Sequence, residues 1–284
     1  MPSFYTRKPE WLKIKLPNGA KSSAVIHRLA GHSLNTICTS GMCPNRAECW
    51  GAGTATFMIG GNICTRACRF CNVATGRPHP LDPGEIDRIA STIAEWKLRH
   101  VVVTSVDRDD LPDGGAAHWV ALIRAVRDAS PSTTIETLVP DFRGNVEALD
   151  SVIAERPEVM SHNLETVRRL TPQIRSVATY DGSLSVLRRI ADAGIVAKSG
   201  IMLGLGETID EVLLTMDDLR SAGCRVMTIG QYLQPTEHHV EVAEYVHPDV
   251  FDQLKAEGLK RGFDFVESAP LVRSSYHAER HVIK

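Results

Sequence analysis

The run CTRACRFC carries Cys64, Cys68 and Cys71 at the spacing C-x3-C-x2-C, directly after an apolar stretch that reads as a strand. Three thiolates from one tight loop can hold three irons of a [4Fe–4S] cluster and leave the fourth iron without a protein ligand, open to a small molecule. Plainer readings are a zinc site short of one ligand or an apolar helix face at i, i+4, i+7 spacing. Phe70, just before the last cysteine, can shield one side of such a loop. A second triplet, Cys38, Cys43 and Cys49, stands upstream at C-x4-C-x5-C in CTSGMCPNRAEC. Alone, that looser spacing decides little; beside the other triplet it points to a second cluster. It too lacks a fourth cysteine, because Cys224, in SAGCRVMTIG at a helix-to-strand junction, reads as a small buried thiol.

The remaining composition is that of an ordinary globular chain: 284 residues, 43% apolar and 23% charged. That length buries a full core without disulfides, and the odd total of seven cysteines weakens a disulfide framework further. With 32 basic against 34 acidic residues, the net charge of −2 argues against a broad nucleic-acid or membrane surface, so neither is expected as a partner. The N-terminal stretch MPSFYTRKPEWLKIKLPNGAK is basic but lacks the apolar core of a secretory signal, and no run of about eighteen apolar residues occurs. A cytoplasmic location is expected. In that reducing compartment, clustered cysteines bind metal or act catalytically.

These loops must be held by regular elements. Short apolar runs suggest six strands, at residues 55–61, 100–106, 133–139, 158–162, 196–203 and 225–230. Between them, Ile86, Ile89, Ala90, Ile93 and Trp96 share one helical face, as do Leu184, Leu187 and Ile190 before a C-capping Gly194. Strands alternating with helices imply right-handed βαβ units and a parallel sheet. The expected fold is α/β, a partial (β/α)6 TIM-type barrel rather than a doubly wound sheet, because both triplets flank the first strand and barrel sites gather at the C-terminal strand ends. Residues 1–54 are then an N-terminal extension carrying the first triplet, 55–247 the core, and 248–284 a C-terminal helix and tail closing over the site.

The loop triplet after a first strand resembles the radical S-adenosylmethionine (radical SAM) superfamily. The longer runs KPEWLKIKLP, CPNRAECW, GTATFMIGGNICTRACRFCNV, VVVTSVDRDDLPDGGAAHW, KSGIMLGLGET, TIGQYLQPTEHH and ESAPLVRSSYHAER resemble one of its families, lipoyl synthase, nearly end to end. TICTSGMC departs from that family by lacking an acidic pair after the first cysteine, which touches no proposed ligand.

The resemblance implies two [4Fe–4S] clusters and S-adenosylmethionine as cofactors. Cys64, Cys68 and Cys71 would hold the cluster whose open iron chelates S-adenosylmethionine and generates a 5′-deoxyadenosyl radical. Cys38, Cys43 and Cys49 would hold an auxiliary cluster consumed as a sulfur source, with Ser275 of R-S-S-Y as its fourth ligand and Ser274 as runner-up. The implied reaction, that of a sulfurtransferase, inserts two sulfurs at C6 and C8 of an octanoyl chain linked to a carrier-protein lysine. Octanoylated lipoyl carrier domains (2-oxoacid dehydrogenase E2 subunits, glycine cleavage H protein), a flavodoxin- or ferredoxin-type reductant and iron–sulfur carrier proteins are the implied partners. Other radical SAM sulfur inserters, a two-cluster electron carrier and a structural zinc protein are the competing readings.

Strand-end loops should then cradle S-adenosylmethionine. Ser105 and Asp107 in TSVDRDD, Asn163 and Glu165 in SHNLET, and Gly204 and Glu207 in GLGET are the candidates, each competing with plain loop or capping roles. Lys198, in an apolar strand, needs an anionic partner, and the cofactor carboxylate is one. Arg273 is expected to pin the tail. His162, His238 and His239 are assigned no ligand role.

Overall fold

The computed structural model of the chain describes residues 8–13, 34–45, 49 and 56–282. Expectations resting on residues 1–7, 14–33, 46–48, 50–55 and 283–284, which include most of the N-terminal extension, lie outside the described residues. In chain order the strands are β1 (Thr56–Ile59), β2 (Ile63–Cys64), β3 (Ala74–Thr75), β4 (His100–Ser105), β5 (Thr134–Leu138), β6 (Val159–Ser161), β7 (Val196–Leu203), β8 (Val226–Gln231) and β9 (Phe265–Ser268). The helices are α1 (Ile37–Ser40), α2 (Glu85–Trp96), α3 (Ala116–Ala129), α4 (Val146–Ala154), α5 (Thr171–Ile174), α6 (Tyr180–Asp192), α7 (Ile209–Ser221) and α8 (Pro248–Lys260).

Seven strands make one parallel sheet in the order β1-β4-β5-β6-β7-β8-β9, while β2 and β3 pair separately. Spatial order follows sequence order. Right-handed crossovers then place successive helices on the same face, which curls the sheet into a barrel wall, whereas a doubly wound sheet reverses direction at a switch point. Among the described residues β1 and β9 do not pair, so the barrel is open. The six strands expected from sequence are all present. The seventh, β9, falls in the expected C-terminal extension; FVES carries Glu267 and Ser268 and is only half buried, too polar to stand out.

Apolar helix faces supply the outer core. Helix α2 buries Ile89, Ala90 and Ile93, α3 buries Trp119, Leu122, Ile123 and Val126, and α6 buries Leu184, Leu187 and Ile190. Each such large side chain contributes roughly 1.5–3 kcal/mol. Helix α6 ends as expected, with Gly194 at φ +77°.

Strand alternation sorts the inner face into levels. Along β7 the inner positions are Val196, Lys198, Gly200 and Met202; the last two line a cavity at the C-terminal strand ends, and Lys198 lies beneath it. Glu136 likewise precedes cavity-lining Leu138 by two residues on β5.

Candidate active site

The cavity holds about 530 Å³, within the size range of sites for small organic ligands. Cys64, Cys68 and Cys71 line it, together with Ser105, Asp107, Asn163 and Glu165 from the ends of β4 and β6. Cys64 closes β2. Its Sγ faces the backbone N–H groups of Arg66 at 3.4 Å and Asp107 at 3.3 Å, and lies 3.5 Å from Asp107 Oδ2. Burial, then the Asp107 charge, pushes the Cys64 thiol up to about 12, and burial pushes Cys71 up to about 11. Thiols so placed are poor free nucleophiles. A bound cation reverses that balance by favouring thiolate, and the inward N–H groups suit thiolate sulfur.

The residue that fixes this loop is Arg66, which sequence reasoning did not single out. Its side chain is 3% exposed. Its guanidinium donates to both Asp109 oxygens at 2.8 Å and to Asp141 Oδ1 at 2.7 Å, with Asp107 at 3.3 Å. Burial pushes the Asp141 carboxyl up, but the Arg66 bond and charge overcome it and hold it below its usual value. This fork ties the cysteine loop to the ends of β4 and β5. His239 adds a second tie, its Nε2 lying 3.0 Å from Cys71 O. His162 is polar core, set between Val139 O at 2.8 Å and Ser183 Oγ at 2.9 Å.

The floor of the site offers unfilled hydrogen-bonding capacity. Asn163 Oδ1 is buried without a protein partner, as an acceptor for a bound ligand would be. Glu165 sits at φ +68°, a conformation costly for a non-glycine residue, and burial raises its carboxyl above the usual range. Arg175, also on the wall, donates to Ser183 Oγ at 2.7 Å. Ser105, Asp107, Asn163 and Glu165 thus line one cavity with the three thiols, a donor set of the chemical type that an iron–sulfur cluster with an amino-acid-like ligand calls for, although among the described residues no three His, Cys, Asp or Glu side chains are grouped to hold a single metal ion.

Three other expected contacts do not reach the cavity. Glu207 accepts from Gly204 N at 2.6 Å and Leu205 N at 2.9 Å, closing its own loop ahead of the Thr208 capping box. Gly204 is required by protein rather than ligand: at φ +93° a Cβ would lie 2.2 Å from Gln231 Nε2. Lys198 points inward one level too deep. Its anionic partner is Glu136, with Nζ to Oε1 at 2.6 Å and both side chains 1% exposed. Lys198→Met should therefore destabilise the fold by about 3–5 kcal/mol, the cost of stranding a buried charge. S-adenosylmethionine affinity of the folded protein, measured by isothermal titration, should stay unchanged.

The segment that carries the first triplet borders the same cavity from α1, but none of Cys38, Cys43 and Cys49 lines it. Ile37, Gly41, Met42 and Pro44 are on its wall, with Cys38 buried behind them. Asn72 Nδ2 donates to Ser40 O at 3.0 Å, joining the two triplet segments. Asn45 Nδ2 donates to Leu271 O at 2.6 Å, joining the first triplet to the C-terminal tail. There Val272, Arg273 and Ser274 line the cavity, whereas Ser275 does not. Arg273 is desolvated, and the nearby Cys43 opposes the resulting fall in its pKa. Cys224 is fully buried, with burial raising its thiol to about 12, as expected for a packing residue.

Residues 58–219 match the family model of the radical SAM superfamily. Lipoyl synthase of Treponema denticola is 63% identical over 98% of this chain and 96% of its own length; that of Parabacteroides distasonis is 58% identical over 98% and 99%. Among solved structures, Streptococcus suis SuiB bound to S-adenosylmethionine gives a TM-score of 0.61 at 11% identity, over 80% of this chain and 55% of that one. Methylornithine synthase (PylB) gives 0.55 at 15%, over 75% and 71%. At those identities the structural likeness concerns the fold alone. Sequence identity along nearly the whole chain carries more, and on it the chain belongs to the lipoyl synthase family of the radical SAM superfamily.

Proposed function

We propose that this chain divides the lipoyl synthase reaction, insertion of two sulfurs at C6 and C8 of a protein-bound octanoyl-lysine, between its two cysteine triplets. Cys64, Cys68 and Cys71 hold the cluster that binds S-adenosylmethionine. Cys38, Cys43 and Cys49 hold the auxiliary cluster, with Ser275 as fourth ligand and cavity-lining Ser274 as runner-up. When bound, one cluster with S-adenosylmethionine supplies a 5′-deoxyadenosyl radical for unactivated C–H bonds, and the other supplies sulfur.

The protein's own residues position and shield. Asn163, Glu165, Ser105 and Asp107 orient the ribose and amino-acid groups of the cofactor. Val139, Ile201, Leu233 and Val272 give the octanoyl chain an apolar wall and keep water away. The observation that carries this reading is the convergence of three distant segments on one cavity through the Asn72–Ser40 and Asn45–Leu271 bonds. Residues 1–54 and 248–284 act as extensions of the core at 55–247.

No helix among the described residues is long and apolar enough to cross a membrane. The family's substrate is a lipoyl carrier protein; E2 subunits and the glycine cleavage H protein are the carriers we infer, with a flavodoxin or ferredoxin as reductant, iron–sulfur carriers to rebuild the spent cluster, and the cytoplasm as the setting.

The test pairs Ser274→Ala with Ser275→Ala in an anaerobic assay using an octanoyl-lysine peptide. Ser275→Ala is expected to cut lipoyl product at least tenfold while 5′-deoxyadenosine still forms. An unchanged product rate in both variants contradicts the serine assignment.

A further inference from the structure

The C-terminal tail does not end over the cavity. After Ser274 it turns through His277 at φ +53° and a short 3-10 helix, Ala278–Arg280, which packs against β4. His281 then arrives at the N-terminal side of the sheet with 0% exposure, its ring 5.7 Å from that of Phe265 at the start of β9. Val282 packs with Val159, Val196 and Val226. The tail runs from the cavity rim to the opposite end of the barrel.

What it meets there is the buried pair beneath the cavity. Lys198 Nζ lies 2.6 Å from Glu136 Oε1 and 3.1 Å from His281 Nδ1, and Ser161 Oγ donates to the same Glu136 oxygen at 3.1 Å. An ammonium has only donors, so Nδ1 must accept, and the imidazole is neutral with its proton on Nε2. Burial, then the Lys198 charge, pushes the His281 pKa down to about 3, in keeping with that state. At the upper end the tail is tied by Leu271 O to Asn45 of the first triplet segment. It is also wedged at Gly230, where a Cβ would lie 2.1 Å from Val272 O. Ser274 and Ser275 lie between two fixed points.

We propose that His281 is a positioning residue: by accepting from Lys198 it anchors the tail from below and so holds the R-S-S-Y serines at the auxiliary cluster. The proposal rests on the reading that one of those serines ligates that cluster. It gives the Lys198–Glu136 pair a role in sulfur insertion without any contact with S-adenosylmethionine. Asn at position 281 can place an acceptor where Nδ1 now stands, whereas Gln places it near Nε2 and Leu offers none.

The test is hydrogen exchange of the full-length apo-protein over residues 273–282, followed by anaerobic reconstitution and turnover with an octanoyl-lysine peptide. His281→Leu should raise exchange in the tail at least tenfold and lower lipoyl product by roughly 10- to 100-fold, with 5′-deoxyadenosine formation retained and the auxiliary-cluster Mössbauer signature altered. His281→Asn should restore both tail protection and product. If the Leu protein does not fold, the Asn and Gln variants carry the same comparison, Asn near the parent and Gln reduced. Parent-like tail exchange, cluster spectrum and product in His281→Leu overturn the proposal, as does equal loss in Asn and Gln. Tail exchange in apo-protein is independent of serine ligation. A failure of the serine reading would instead appear as parent-like spectra in Ser274→Ala and Ser275→Ala with the His281 effect on exchange intact.

Discussion

A Cys68→Ala protein should fold normally, bind about four irons per chain after anaerobic reconstitution where the parent binds about eight, and form no 5′-deoxyadenosine above background. Cys68 is the sharpest of the three thiols to remove because it is only partly buried and its Sγ lies 3.6 Å from Ser176 Oγ, a loose contact. Its loss leaves no core cavity of consequence. Changes to groups that merely support a metal ligand cost roughly 10- to 100-fold in affinity or activity, so removal of a ligand itself should exceed that range. Lipoyl product should fall below one part in about a thousand, while circular dichroism and the thermal midpoint match the parent. Iron content near eight with product above a tenth of the parent would remove Cys68 from the site.

The second large effect is expected at Arg66. Arg66→Met keeps much of the side-chain volume but strands Asp109 and Asp141 beside each other with no cation, both largely buried. Breaking a buried charge network in this way costs about 3–5 kcal/mol, a large share of the stability of an ordinary domain. Urea unfolding should show that loss as a lower midpoint with an unchanged slope. Arg66→Lys should recover little, because one ammonium cannot reproduce a planar fork that reaches Asp109 through two nitrogens and Asp141 through one of them. Anaerobic reconstitution should also leave the Cys64 triplet empty at conditions that fill the other. A parent-like unfolding midpoint in Arg66→Met would show that the cysteine loop is held by something else.

The contrast between these two residues shows what sequence reading can reach. The Cys64, Cys68 and Cys71 set is local, so its spacing alone suggested a cluster with an open iron. Arg66 stands inside the same motif, yet its partners Asp109 and Asp141 lie 43 and 75 residues away, and nothing in a linear pattern pairs them. The other six strands of the main sheet were legible because stretches rich in apolar residues recur between amphipathic helices, even where the strand itself is as short as the three-residue β6. The four-residue β9 was hidden by Glu267, and the two-residue β2 and β3 were too short to show a period.

Lys198 was correctly read as a buried charge in need of an anion, but the anion is Glu136, because strand alternation fixes the face and not the depth. Gly204 and Glu207 were read toward a ligand and instead serve their own loop, an outcome that the competing capping role had described. The tail was the least legible part. Its serines are remote in sequence from the first triplet, and its path beneath the cavity is set by contacts with distant strands, among them His281 with Lys198 and Val282 with Val159, Val196 and Val226.

That the inserted sulfur comes from a cluster held by the protein is tested most directly by isotope origin. The protein is reconstituted with iron and ³⁴S-sulfide, freed of excess sulfide, and mixed with reductant, S-adenosylmethionine, an octanoyl-lysine peptide and natural-abundance sulfide. Mass spectrometry should find ³⁴S at both inserted positions, with product limited to about one lipoyl group per chain. Lipoyl peptide carrying natural-abundance sulfur, or many turnovers per chain without cluster rebuilding, would contradict that origin.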